Sequence, residues 1–195
     1  AVDFFNTYFP NVKNEIENLT EDFFKNPTSA MVTMKCYPWT YWDKVALVGD
    51  SAHAVVPFYG QGMNAGFEDI FVLDEIIQEF GDDWEKIFDT YQQRRKPNAD
   101  AIAELSYRNF VEMSSKTADA NFLLQKKIEK HFSANHPEKW IPAYSRVTFS
   151  ERPYAEALAA GDAQESIMKE VMKTPNIEKK WDSAEVEKLM LDLIG

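Results

Sequence analysis

Asp50, His53 and the run Gly60-Gln61-Gly62-Met63-Asn64 are the residues of this chain whose types and spacing most clearly permit chemistry. They lie within VALVGDSAHAVVPFYGQGMNAGFEDIFVLD, residues 45 to 74. Apolar, β-branched Val45 to Val48 read as a buried strand that stops at Gly49-Asp50. A glycine-spaced loop follows, and an apolar-periodic helix opens near Met63 or Asn64. Glycines let a backbone approach a ligand closely, and the first N–H groups of a helix lack internal partners. Such a loop can hold a polar, partly anionic ring against the positive end of a helix. A carboxylate just past a strand end sits where open α/β sheets place ligands, and can accept a hydrogen bond from a sugar hydroxyl. Asp50 can equally serve as a helix N-cap, and both roles can coexist.

The same residues admit other readings. Gly60-x-Gly62-x-x-Ala65 matches the spacing of a dinucleotide fingerprint, but that motif follows its strand directly and here the strand ends at Gly49. A phosphate-binding P-loop needs Gly-Lys-Ser/Thr, which is missing. A plain glycine turn before a helix explains the loop but not its combination with Asp50, His53 and Pro57. His53 is the obvious acid–base group, yet it reads better as a hydrogen-bonded histidine beside a bound group. Ser51, His53 and Asp50 are too close in sequence to converge as a catalytic triad, and no G-x-S-x-G elbow is present. His131 and His136 have no cysteine or carboxylate at a metal-ligand spacing, so no metal is expected. Arg94-Arg95-Lys96 is a basic run in an acidic chain. It reads either as a phosphate-attracting patch or, more simply, as a solvated helix end.

The 195 residues suffice for one sizeable core or two small ones. A net charge of −11 argues against a nucleic-acid surface. One cysteine, Cys36, excludes an internal disulfide framework and fits a reducing compartment. No apolar run approaches the roughly 18–20 residues that span a bilayer.

Around the motif the pattern is mainly helical. Residues 3 to 26 read as one or two helices broken at Pro10, with Phe4, Phe5, Tyr8 and Phe9 before it and Val12, Ile16 and Leu19 after it. Thr20 is a candidate N-cap. Met31 to Tyr37 alternates as a strand. Helices are expected over 64–80, 83–95, 98–116 and 119–134, with Gly81-Asp82-Asp83 and Pro97 as boundaries. Residues 140–149 read as extended or irregular. Terminal helices are expected over 155–173 and 183–193.

Gly49-Asp50-Ser51-Ala52-His53, then Pro57, then Gly60-Gln61-Gly62-Met63-Asn64 closely resembles the second flavin-contacting motif of class A flavoprotein aromatic hydroxylases. That resemblance implies an FAD-dependent monooxygenase using NADPH and molecular oxygen. It gives Asp50 the ribityl chain, and Pro57, Gly60, Gln61, Gly62, Met63 and Asn64 the isoalloxazine. Reduced flavin carries negative charge near N1 and the C2 carbonyl, which suits a helix N-terminus. Phe58 and Tyr59 would line the ring face where oxygen and substrate meet, or serve as core aromatics.

Further matches extend the likeness to a branch that hydroxylates an aromatic amino acid. They are Glu68-Asp69, Arg94-Arg95 with Pro97, Leu105-Ser106-x-x-Asn109-Phe110-x-Glu112-Met113, and Ile141-Pro142-x-Tyr144-x-x-Val147-Thr148-Phe149-Ser150. By that likeness Asn109 and Tyr144 contact the amino-acid group of the substrate, and the charged partner it also needs lies elsewhere. The likeness covers about residues 1 to 155 and leaves the tail unplaced.

The fold expected is α/β overall, part of an FAD-dependent hydroxylase fold, with this stretch mostly helical and holding a few strands. Residues 1–43 would end a middle, substrate-side sheet domain, 44–98 would belong to the FAD-binding domain, and 99–195 would form a helical region. No leading strand with a GxGxxG turn opens the chain. An N-terminal part of the same protein is therefore expected as its partner. The resemblance implies a mitochondrial outer-membrane location in a eukaryote, through a segment not seen here, and a cytoplasmic one otherwise. A hydroxylase for another aromatic, and a cofactor-free helical interaction domain, are the alternatives.

Overall fold

A computed structural model describes residues 1–13 and 15–195, without the side chains of Val12 and Lys13, so the expected packing of Val12 lies outside the described residues. The chain divides into two compact units, Ala1–Met31 and Val32–Gly195. In the first, α1 (Val2–Tyr8), α2 (Pro10–Lys13) and α3 (Leu19–Lys25) follow one another. Pro10 opens α2 after the break, as its fixed φ allows. Phe4 sits 4.9 Å from Tyr8 and 6.0 Å from Phe9, ring to ring. The cap of α3 is Asn18, and Thr20 lies inside the helix.

The second unit begins with an extended segment. The strand expected over residues 31–37 does not form: Thr33 and Cys36 are the half-buried positions, three apart, so the alternation finds no face to bury. One ladder-like bond, Met34 N–H to the Ala54 carbonyl at 2.7 Å, holds it. A short antiparallel ribbon follows, β1 (Thr40–Tyr41) with β2 (Val45–Ala46). The buried strand expected at 45–48 is reduced to these two residues, and Val45 is exposed, because β1 is its sole partner among the described residues. Then come the one-turn helix α4 (Asp50–His53), a 3₁₀ turn at Pro57–Tyr59, and α5 (Gly62–Phe80).

α5 ends at Gly81, whose φ of 63° is one glycine adopts without strain. Asp83 then caps α6 (Trp84–Val111) by accepting the Lys86 N–H. The break expected at Pro97 is absent: α6 runs 28 residues through it. Pro97 removes one helical bond, but buried contacts on both sides of it outweigh that loss. Ile87, Tyr91 and Ala99 pack with Trp39, Ala52 and Ile76. Ile102 and Leu105 pack with Ala65, Val147 and Tyr154. The division expected at 98/99 thus falls inside one helix. A π-helical turn, Glu112–Lys116, ends it.

α7 (Ala120–Asn135) is capped by Asp119. α8 (Ala143–Thr148) corrects the irregular stretch expected at 140–149; it is too short to show a period, and Val147 is its one buried residue. α9 (Tyr154–Val171), α10 (Ile177–Lys180) and α11 (Ala184–Ile194) complete the unit. Ile128, Phe132, Trp140, Met168, Val171 and Met190 form their shared core. Fully burying such a side chain stabilises by about 1.5–3 kcal/mol.

Candidate functional site

β2 feeds into Gly49, which takes φ 61° and ψ −140°, a backbone state that side-chain-bearing residues rarely adopt. A Cβ on Gly49 would also meet the Gly66 Cα at 4.0 Å, so the turn lies against α5. Gly49 is the N-cap of α4, and Asp50 holds the first helical position, exposed. The capping role for Asp50 is thereby displaced, and its carboxylate stays on the surface.

Gly60 has φ 67°, and nothing lies within 4 Å of where its Cβ would be. Gln61 caps α5, whose first internal bond runs from Ala65 N–H to the Gln61 carbonyl at 2.9 Å. The N–H groups of Gly62, Met63 and Asn64 precede that bond and have no intrahelical acceptor. No acidic residue stands in the first turn of α5, so its partial positive charge is not offset by the chain itself. Met63 and Asn64 are exposed. The Gln61 side chain, however, is buried. Its Oε1 accepts from Asn64 Nδ2 at 2.9 Å and from the Tyr154 hydroxyl at 3.2 Å. The Gln61 side-chain oxygen is thus committed within the protein. Tyr154, burial first among the causes, has its hydroxyl pKa pushed up to about 12 and remains a neutral donor.

Sequence reasoning missed the group beneath this surface. Asp69 on α5 is fully buried. It accepts the Gly49 N–H at 2.9 Å, pairs with His53 Nε2 at 2.6 Å and accepts from Arg95 Nε at 2.7 Å. Burial alone would raise its pKa; the bonds from His53, Arg95 and Gly49 outweigh burial and hold it below its ordinary value. The signal was present: Ala65, Asp69 and Ile76 share one helical face, and a charge on an apolar face marks a buried pair. The basic run lies inside α6 and splits, with Arg94 exposed and Arg95 buried. Arg95 is buried against Asp69 and Glu68, Arg94 pairs with Glu79, and Lys96 pairs with Asp100.

Asn109 and Tyr144 line one cleft of about 950 Å³ together with Tyr59. Tyr59 and Tyr144 stack at 5.6 Å, and Phe149 meets Tyr144 edge-on at 6.4 Å. Phe58 packs on Phe110 at 4.7 Å. Asn109 Nδ2 donates to the Phe58 carbonyl at 2.7 Å, tying α6 to the loop that leads into the glycines. Tyr59 has its pKa pushed up to about 12 by burial, then by Glu112 and Tyr144, so the cleft presents a neutral phenol. Arg108, also in the cleft wall, is already held by Glu104 and Asp162. Among the described residues no cluster of His, Cys, Asp or Glu could hold a metal ion.

The exposed carboxylate, the open glycine loop and the uncompensated helix start lie within residues 14–106, which match the family model described as an FAD binding domain. The particular likeness is closer still. Over 191 residues the chain is 69% identical to the kynurenine 3-monooxygenase of Christiangramia forsetii, covering 98% of this chain and 43% of that protein. It is 69% identical over 192 residues to that of Flavobacterium johnsoniae, with the same coverage. To that of Dictyostelium discoideum it is 42% identical over 191 residues, covering 90% of this chain and 42% of the other. The resemblance to kynurenine 3-monooxygenase therefore holds along nearly the whole chain, the tail after residue 155 included. The chain spans less than half the length of these curated relatives. No helix among the described residues is long and apolar enough to cross a membrane.

Proposed function

We propose that these residues form the flavin-ring and substrate end of an FAD-dependent, NADPH-using monooxygenase that converts kynurenine to 3-hydroxykynurenine. One observation carries the reading: Asn109 and Tyr144, far apart in sequence, meet in a cleft walled by Tyr59, whose loop leads straight into the glycines at the start of α5. The residues present fit a flavin. The space at Gly60 is open, the first N–H groups of α5 are uncommitted, and Asp50 is exposed.

The bound flavin supplies the passage of electrons from NADPH to oxygen. The chain's own residues bind and orient. Asp50 accepts a hydrogen bond from the ribityl chain. The start of α5, from Gly60 to Asn64, stabilises negative charge on the ring through its N–H groups and dipole. Pro57, Phe58 and Tyr59 face the ring and exclude water. Tyr144 donates its hydroxyl to the substrate carboxylate. Asn109, with Nδ2 used by Phe58, accepts from the substrate ammonium through Oδ1. In this reading residues 1–43 end the substrate-side domain, 44–98 supply the flavin surface, and 99–195 close over the substrate. The rest of the longer protein completes the FAD site and contributes the charged group for the amino-acid end.

The test is turnover of the complete protein with FAD, NADPH and kynurenine. Formation of 3-hydroxykynurenine bears the reading out. A yellow protein that leaves kynurenine unchanged and hydroxylates another aromatic points to a sister activity. A protein that takes up no flavin overturns the reading.

A further inference from the structure

Three elements converge on Asp69, and two of its three donors bracket Asp50. Gly49 precedes Asp50, and His53 closes the same helical turn. The Ala52 and His53 N–H groups both bond to the Gly49 carbonyl, at 2.9 and 3.0 Å. The turn carrying Asp50 is thus clamped at both ends to one carboxylate. It needs that clamp, because four residues are too few for a helix to hold its own shape, and Gly49 sits in a sparsely populated backbone state. Arg95, from α6, fixes the carboxylate itself and also donates to the Ala65 carbonyl at 3.3 Å, one turn into α5. The Asp50 turn and the start of α5 are therefore referenced to one buried network.

We propose that Asp69 is a positioning residue for the flavin: it fixes α4 so that the Asp50 carboxylate meets the ribityl chain, with His53 as a second strut. The proposal rests on Asp50 being a flavin contact. Asp69 itself is fully buried and acts through α4. No proton transfer through His53 is needed.

A double-mutant cycle on the complete protein separates this role from general packing, because residues acting through one another are not additive. FAD dissociation constants are measured for the parent, Asp50→Ala, Asp69→Asn and the double variant, with thermal unfolding of each apoprotein alongside. Asp69→Asn keeps the volume and removes the charge. It should weaken FAD binding about ten- to a hundredfold, the scale of a hydrogen bond to a charged group. In the Asp50→Ala background the same change should add almost nothing. An additive cycle, or unchanged affinity for Asp69→Asn, overturns the positioning role. Should Asp69→Asn not fold, His53→Ala runs the same cycle, with His53→Gln, which keeps a donor, expected to recover part of the affinity. Additivity there overturns the proposal equally. Unchanged affinity in Asp50→Ala alone removes the ribityl contact, whereas a weakened Asp50→Ala with an additive cycle removes only the positioning.

Discussion

A buried carboxylate with three donors ties the stability of the molecule to pH. Asp69 has a folded pKa below its ordinary value of 3.8. A depressed carboxylate contributes stability that is present above the unfolded pKa and lost as pH falls through the folded one. Urea unfolding of the complete protein should therefore lose stability below about pH 4, and Asp69→Asn should flatten that acid limb. An equally steep limb in the variant would remove Asp69 from the account. Arg95→Ala leaves the charge of Asp69 facing one fewer partner in the interior, and should cost about 3–5 kcal/mol in the same measurement. At this scale the sequence was legible where residue type was unusual. Glycines at 49 and 60 single out turns that the structure shows, with φ 61° and 67°. Asp69 and Arg95 did not announce themselves, because charged residues on a helix read as solvated until the opposing element is known. The likeness that singled out Glu68-Asp69 and Arg94-Arg95 marked the positions without giving the physics.

At the scale of elements, the amphipathic helices were readable and the short ones were not. α5, α7, α9 and α11 appear within a few residues of their expected spans, since each is long enough for its apolar period to show, and Asp119 and Ser183 also cap α7 and α11. α6 overrode Pro97 because contacts on either side of the proline are made only in the assembled unit. α8 and the lost strand at residues 31–37 failed for a shared reason: each is too short, or too poorly partnered, for its pattern to decide its shape. α9 has a task that its own sequence hides. Its first residue, Tyr154, anchors Gln61 at the cap of α5. Tyr154→Phe should cost about 0.5–1.5 kcal/mol of stability and weaken FAD binding of the complete protein. Met190→Ala should cost about 2–5 kcal/mol, because Met190 is fully buried in the core shared by α7, α9 and α11. FAD affinity should be unmoved by that change. Thermal unfolding and flavin titration on the two variants check both statements. A flavin effect from Met190→Ala would show that the terminal core does more than stabilise.

At the scale of the whole molecule, the proposed function assigns two ligand surfaces joined by one short connection, residues 57–61. In that proposal the carboxylate turn and the start of α5 address the cofactor, and Tyr59, Asn109 and Tyr144 address the substrate. The two can therefore be damaged separately, and that separability is the most direct test of the account. In the complete protein, FAD and kynurenine are titrated against Asp50→Ala, Asn109→Ala and Tyr144→Phe. Tyr144→Phe deletes a hydroxyl and keeps the ring, so it opens no cavity. Asp50→Ala is predicted to weaken FAD about ten- to a hundredfold, and Asn109→Ala and Tyr144→Phe to weaken kynurenine by a similar factor with flavin content unchanged. Kynurenine bound as tightly by both cleft variants as by the parent, together with FAD affinity unaltered in Asp50→Ala, would contradict it.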